Sequence, residues 1–230
     1  MTASRSARER VRAELTKEIT DIARRQLATE GAGGLSLRAV AREMGMVSSA
    51  IYRYFPSRDD LLTTLIIDSY NALGEAVERA DAAAPQEDHT ARWLAACHAV
   101  RDWAVAHPHE YALVYGSPVP GYQAPQDTVA ARVRDVTVLG RIASDAWRAG
   151  ALRTPAEEVP QELEEGVEGF RELMPGVPDG VIWRAVTAWT ALYGWVSFEV
   201  FGQFNHSFVD RRGAFDHAMR RMAETIGLAQ

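Results

Sequence analysis

Apolar residues recur at helical spacing along almost the whole chain, and nowhere do they alternate with the two-residue period of a half-buried strand. A chain of 230 residues with that pattern is expected to be all-α, and at that length it buries a core without disulfide or metal staples. Leu15, Ile19, Ile22 and Ala23 fall at i, i+4, i+7 and i+8 and predict a first helix that ends near Gly31, where the run GAGG at 31–34 interrupts it. Ser36 is placed to cap a second helix, whose apolar face carries Leu37, Val40, Ala41 and Met44 before Gly45 ends it. A short third helix is expected over 47–55. Val47, Ile51 and Phe55 dock it on the core, and Ser48, Ser49, Tyr52 and Arg53 occupy the other face. Pro56 breaks the run, and Ser57 followed by Asp60 forms a variant capping box. Behind it, Leu61, Leu62, Leu65, Ile66 and Leu73 predict a long fourth helix reaching about Ala80.

The rest is helical but less regular. Trp93, Cys97, Val100 and Ala104 line a helix over 90–106, a short piece spans 109–115, and the proline-rich segment GSPVPGYQAP at 116–125 reads as a loop. A further helix is expected over 127–149. In the acidic stretch that follows, Glu157, Glu158, Glu162, Glu164, Glu165 and Glu168 read as a solvated surface. A helix over 179–206 then concentrates the aromatic residues. Trp183, Trp189, Tyr193, Trp195, Phe198, Phe201 and Phe204, with Phe208 just beyond, leave one face for the core and another for a cavity or partner. An amphipathic helix over 215–226 closes the chain, and there is no internal repeat.

Charge divides this chain in a way that its net value of -6 conceals. Residues 1–58 carry 11 basic and 6 acidic side chains, net +5, whereas residues 59–230 carry 14 and 25, net -11. Only the first module has the electrostatics expected beside a polyanion. The expected division is therefore a small basic module over 1–60 and a larger acidic one over 61–230. Cys97 is the one cysteine, which excludes an intrachain disulfide framework and multi-cysteine zinc sites. The opening MTASRSARERVRAELTKE has no apolar signal-peptide core, and no window resembles a spanning helix, so a cytoplasmic protein without membrane contact is expected.

Three short helices with a tight Gly45 turn between the second and third form a helix-turn-helix whose third helix would enter a major groove about 12 Å wide. Arg53 can donate to guanine or to phosphate, Ser48 and Ser49 reach phosphate or base edges, Tyr52 offers a hydroxyl to phosphate, and Ala50 can touch a thymine methyl. Arg58 stands at a helix start, where a phosphate is also favoured. Taken singly, each has an ordinary alternative: Tyr52 and Tyr54 as a roof on the core, Arg53 and Arg58 as solubilising charges, Ser48 as a cap only. Together, the spacing, the local charge and the break at Pro56 favour DNA.

The segment LSLRAVAREMGMVSSAIYRYFPSRDDLL, residues 35–62, resembles the DNA-binding domain of the TetR family of bacterial transcriptional regulators. The likeness spans about residues 15–65 and is carried by Ala23, Gly31, Leu37, Val40, Ala41, Gly45, Tyr52, Phe55, Pro56, Arg58 and Leu61. It departs at Val47, where the family usually has a capping serine, and Ser48 is the candidate to replace it. The resemblance implies an all-helical homodimer, each subunit with a DNA-binding domain over 1–60 and a regulatory, ligand-binding and dimerisation domain over 61–230, that binds a near-palindromic double-stranded operator, usually as a repressor. It makes Tyr52 and Arg58 phosphate contacts and Ser48, Ser49 and Arg53 groove contacts. It further implies dimerisation through the last two long helices, 181–204 and 215–226.

A small apolar or aromatic effector is expected in the larger domain, with Trp93, His98, Tyr111, Tyr115, Trp147, Trp189 and Tyr193 as candidate pocket residues; core or interface packing is the alternative for each. No cofactor or metal is expected. An enzyme is the rival reading. His107, His109 and Glu110 lie close together but lack the HExxH spacing, and Cys97 beside His98 is a poor start for an activated thiol because adjacent helical residues do not face each other. A ligand- or partner-binding protein that has lost DNA binding is a further alternative, opposed by Tyr52, Arg53 and Arg58.

Overall fold

The computed structural model describes residues 2–153 and 158–228, with side chains from residue 7 onward apart from those of Leu163 and Glu164. Among these residues the regular structure is helical: α1 (Thr2–Gly34), α2 (Leu37–Glu43), α3 (Ser48–Ile51), α4 (Arg58–Ala83), α5 (His89–Ala106), α6 (Pro108–Tyr115), α7 (Thr128–Arg132), α8 (Arg134–Arg148), α9 (Glu164–Arg171), α10 (Asp179–Val200) and α11 (Arg211–Ile226). A single 3-10 turn, Gln161–Leu163, precedes α9, and Leu152 and Leu228 form an isolated antiparallel bridge. No described helix is long and apolar enough to cross a membrane.

The chain folds as two units, Met1–Tyr70 with His107–Ala131 and Asn71–Ala106 with Arg132–Gln230. This differs from a division at residue 60. Residues 107–131 belong with the N-terminal helices because Val114, Tyr115, Val119 and Tyr122 pack on their core. The Tyr122 hydroxyl lies 2.9 Å from Thr63 Oγ1, and Tyr70 donates to the Val114 carbonyl at 3.3 Å. α4 starts in the first unit and passes into the second between Tyr70 and Asn71.

In the first unit, Ile19, Ile22, Ala23 and Leu27 of α1 meet Leu37, Val40 and Ala41 of α2, Ile51 of α3, and Leu61, Leu62 and Leu65 of α4, all buried. Each such aliphatic side chain contributes about 1.5–3 kcal/mol on leaving water, which sets the angles at which the short helices are held. Gly31 breaks α1 with φ 68°, and Gly45 turns the chain after α2 with φ 67°. Both are left-handed conformations that cost a side chain dearly. Ser36 caps α2 as expected, its side chain accepting from Ala39 N at 3.4 Å. The box ahead of α4 also forms, with Ser57 Oγ accepting from Asp60 N at 3.1 Å and donating to Asp60 Oδ2 at 2.7 Å.

In the second unit, Trp93, Cys97, Val100 and Ala104 of α5 are buried against α8, α10 and α11. Trp93 Nε1 donates to the Met219 carbonyl at 2.9 Å. Two buried ion-pair groups accompany this core. Arg92 donates to both oxygens of Asp81 at 2.7 and 3.2 Å and to Asp145 at 2.9 Å, while Arg141 reaches Asp81 at 2.8 Å. Arg101 grips Glu199 through two bonds of 2.8 and 2.6 Å, with its guanidinium 5.6 Å from the Phe215 ring centre. The helix expected over 127–149 is interrupted at Val133 into α7 and α8, and the aromatic helix stops at Val200 rather than 206. Of the acidic cluster, Glu158, Glu162, Glu165 and Glu168 are exposed; Glu157 and the Glu164 side chain lie outside the described residues.

Candidate nucleic-acid interface and ligand cavity

α3 is one helical turn extended by turn hydrogen bonds from Arg53 N to Ala50 O, Tyr54 N to Ile51 O and Phe55 N to Ile51 O. Ile51 and Phe55 are sunk in the core at 0% and 5% exposure, which pins the turn and fixes what it presents outward. Ser48, Ser49, Tyr52 and Arg53 are all exposed on it, and Ala50 is half-buried. The residue that caps this turn is Val47, not Ser48. It gives no side-chain hydrogen bond, and its isopropyl group is 72% exposed.

Arg58 is also tied into the fold. Its Nη2 donates to the Ala32 carbonyl at 2.7 Å and its Nε to the Leu35 carbonyl at 3.2 Å, so the guanidinium ties the α1–α2 connection to the start of α4. Two of the five guanidinium N–H donors are thereby spent on the fold, and Nη1 lies 3.4 Å from Asp59 Oδ1.

Around the reading turn the charges sort into paired and unpaired. Arg24 bridges Asp21 and Asp68, and Arg25 meets Glu43 at 2.8 Å. Burial pushes the Asp68 carboxyl above its usual value in spite of Arg24. Arg8, Arg10, Arg38, Arg42 and Arg53 pair with no carboxylate among the described residues. Sequence reasoning passed over Arg12, whose Nη2 donates to the Arg53 carbonyl at 3.1 Å and whose guanidinium carbon sits 5.5 Å from the Tyr54 ring centre. The signal was present as a run of arginines ahead of Leu15, where the apolar stripe of α1 begins.

The seven residues considered for an effector pocket are not brought together. Trp93 and Trp189 line one narrow cavity in the second unit, with Leu139, Gly140, Phe170 and Met174 among its other walls. At about 20 Å³ it has room for one water. A side chain at Gly140 would stand 3.2 Å from the Leu173 carbonyl oxygen and 3.3 Å from Met174 Cγ, so glycine is what lets that segment close over the cavity. Trp189 Nε1 is buried without an acceptor among the described residues. Tyr193 touches the Trp189 ring edge-on at 6.0 Å, but its hydroxyl is engaged with the buried Asp135 carboxylate. His98 faces Asp216 at 2.9 Å and Phe215 at 5.3 Å, and Trp147 is 40% exposed. Tyr111 and Tyr115 stack at 5.1 Å inside the first unit.

α10 presents Trp183 and Phe198 to solvent, Phe198 at 53% exposure, and Phe201 at its C-cap is exposed as well. Just beyond, Trp195, Phe204 and Phe208 form a cluster with centroid separations of 4.9, 5.6 and 5.2 Å. Features of an enzyme are weak. Cys97 is fully buried, which raises its thiol well above the ordinary range, and no group of three metal-ligating side chains occurs among the described residues.

Comparison with known proteins matches residues 19–65 to the family described as "Bacterial regulatory proteins, tetR family" and residues 93–222 to "Tetracyclin repressor-like, C-terminal domain". The HTH-type transcriptional regulator Rv1816 of Mycobacterium tuberculosis is 39% identical over 225 residues, covering 96% of this chain and 94% of the relative. Among solved structures, the regulatory protein SCO4313 superposes with a TM-score of 0.77 at 31% identity, covering 94% of this chain and 98% of that one. A protein of unknown function from Rhodococcus sp. RHA1 gives 0.69 at 26%, covering 94% and 96%.

Proposed function

The chain belongs to the tetR family of bacterial regulatory proteins, and from that premise we propose that it is a repressor that holds a near-palindromic operator as a homodimer and is released by a small apolar or aromatic effector. Membership makes it a DNA-binding transcriptional regulator and not an enzyme. The observation that carries the finer reading is α3. A single turn anchored by Ile51 and Phe55 offers Ser48, Ser49, Tyr52 and Arg53 together, without any carboxylate partner for Arg53 among the described residues. Rigid anchoring matters because base readout requires donors held in place before the groove is met.

The dimer forms through α10 and α11. The exposed aromatic side chains of α10 supply the kind of apolar surface that a permanent interface buries. The effector enters beside Trp93 and Trp189, where the unpaired indole N–H selects a compact, neutral molecule with a hydrogen-bond acceptor. Since the cavity admits only a water as it stands, entry displaces Phe170 or Met174. Effector binding then favours a separation of the two reading heads that no longer matches successive major grooves, with residues 61–80 of α4 as the connection. An effector can shift that equilibrium only by its differential affinity for the two separations. Crosslinking the heads at DNA-compatible spacing therefore abolishes release, and release that persists would count against the mechanism.

The function is tested by selecting bound duplexes from a randomised pool at about 0.15 M salt, which presupposes neither operator nor effector. A near-palindrome with half-sites about one helical turn apart is the expected product. Failure of a correctly folded dimer to enrich any sequence would overturn the reading.

A further inference from the structure

We propose that Val47 reads thymine: its isopropyl group meets the C5-methyl of one thymine in each operator half-site, which makes this side chain a specificity determinant beside the polar groups of α3. The proposal rests on the reading of α3 as the element that meets DNA. Val47 is the N-cap of α3, and the N-terminal residues of a recognition helix are the ones that reach base edges. It stands 72% exposed, while Met44 and Met46 before it and Tyr54 after it pack partly against the core of the first unit. The side chain does nothing for the turn it opens. It offers no acceptor to the first N–H groups of α3, and it leaves branched hydrocarbon in water at a position where serine or aspartate would stabilise the turn. A residue unfavourable on both counts in the free protein is accounted for by what it touches in the complex.

Its backbone is held in place. Gly45 turns the chain with φ 67°, Met46 N donates to the Ala41 carbonyl at 2.8 Å, and the Val47 carbonyl accepts from Ala50 N at 2.8 Å. Between those bonds Val47 is extended, with φ -65° and ψ 136°, and its β-branched side chain has little χ1 freedom to lose. The isopropyl group is thus presented at a fixed place just ahead of the exposed Ser48 and Ser49. Groove chemistry then selects the base. In the major groove thymine alone shows a methyl group, whereas guanine shows two acceptors, adenine an acceptor and a donor, and cytosine a donor. Against the methyl, the isopropyl group removes apolar surface from water on both partners. Over any of the other three bases it would displace water from a donor or acceptor and return no hydrogen bond. Ala50, the other side chain of the turn suited to a methyl, is half-buried.

The contact is tested with the full-length chain on the duplex selected from the randomised pool, by replacing its thymines with uracil one symmetric pair at a time. That change removes the methyl and keeps every hydrogen-bonding group. Wild type is expected to lose affinity at one thymine of each half-site, by about fourfold per methyl and roughly fifteenfold for the pair. Val47→Ala should bind the thymine and uracil forms of that pair nearly alike. Val47→Ser should also lose the methyl preference while unfolding at a higher urea midpoint than wild type, a combination that a purely structural Val47 would not give. Equal uracil penalties in wild type and Val47→Ala would assign the methyl to another side chain and overturn the proposal, as would half-sites in which no uracil substitution matters. If a correctly folded dimer selects no sequence at all, the reading of α3 fails first and the thymine contact falls with it.

Discussion

Val47 occupies the position where an oxygen-bearing side chain would accept from the first turn of α3, and it leaves that turn uncapped while exposing an isopropyl group to water. Val47→Ser should therefore raise stability by about 1 kcal/mol, read as a higher urea midpoint with unchanged slope. An unchanged or lower midpoint would show that the turn finds its acceptor elsewhere. Arg58 makes the opposite case. Its two bonds to the carbonyls of Ala32 and Leu35 are charge-assisted, so Arg58→Ala should cost about 1.5–3 kcal/mol of stability in the absence of DNA. A variant as stable as wild type would show that these bonds do not hold the fold. Local chemistry was legible at this scale: Ser36, Ser57 and Asp60 behave as their spacing predicts, because a cap depends only on residues three apart. The tie that Arg58 makes within the fold was not, because its partners lie 23 and 26 residues away and are backbone carbonyls that every residue type shares.

The elements that were clear in the sequence are those with one dominant apolar stripe. The four positions that the spacing marks in α5, Trp93, Cys97, Val100 and Ala104, are all buried, and α2 keeps its bounds between Ser36 and Gly45. α10 was harder, since a helix aromatic on most sides does not reveal which side is the core; Leu192 and Val196 are fully buried while Phe198 is exposed, as is Phe201 at the C-cap. Polar links between elements were invisible, as arginine and aspartate read as surface residues until their partners are known. Asp81 at the end of α4, Arg92 in α5 and Arg141 in α8 form such a link. Burial pushes the Asp81 carboxyl up, but the hydrogen bonds from Arg92 and Arg141 outweigh it and hold the carboxyl below its ordinary value. Asp81→Asn removes one of the two carboxylates that hold the buried Arg92, with Asp145 remaining, and should cost about 1.5–3 kcal/mol at pH 7, measured by urea unfolding. Because the folded value lies below the unfolded one, near 3.9, this stabilisation is complete above the unfolded value and disappears as the pH falls through the folded one. The gap between wild type and variant should narrow only in that acid range; a gap that closed near neutral pH would contradict the assignment.

At the scale of the whole molecule, the two-part organisation was legible from charge alone, but the return of residues 107–131 to the first unit was not. Val114, Tyr115, Val119 and Tyr122 have the composition of any core, and nothing in their local pattern says which core they join. The dimer is a claim at this scale. Phe198→Asp with Phe201→Asp places charge at the exposed C-terminal end of α10 and on its C-cap, and light scattering should then report the 25.4 kDa protomer in place of twice that mass. A mass that stays doubled would move the interface elsewhere. The central claim is that α3 reads base sequence, and it is tested most directly by comparing wild type with Arg53→Ala on the selected duplex and on a scrambled duplex of equal length and salt. Wild type should prefer the selected site strongly, and Arg53→Ala should lose about 1–3 kcal/mol of that preference while keeping most of its affinity for the scrambled duplex. Discrimination equal to that of wild type would contradict the account.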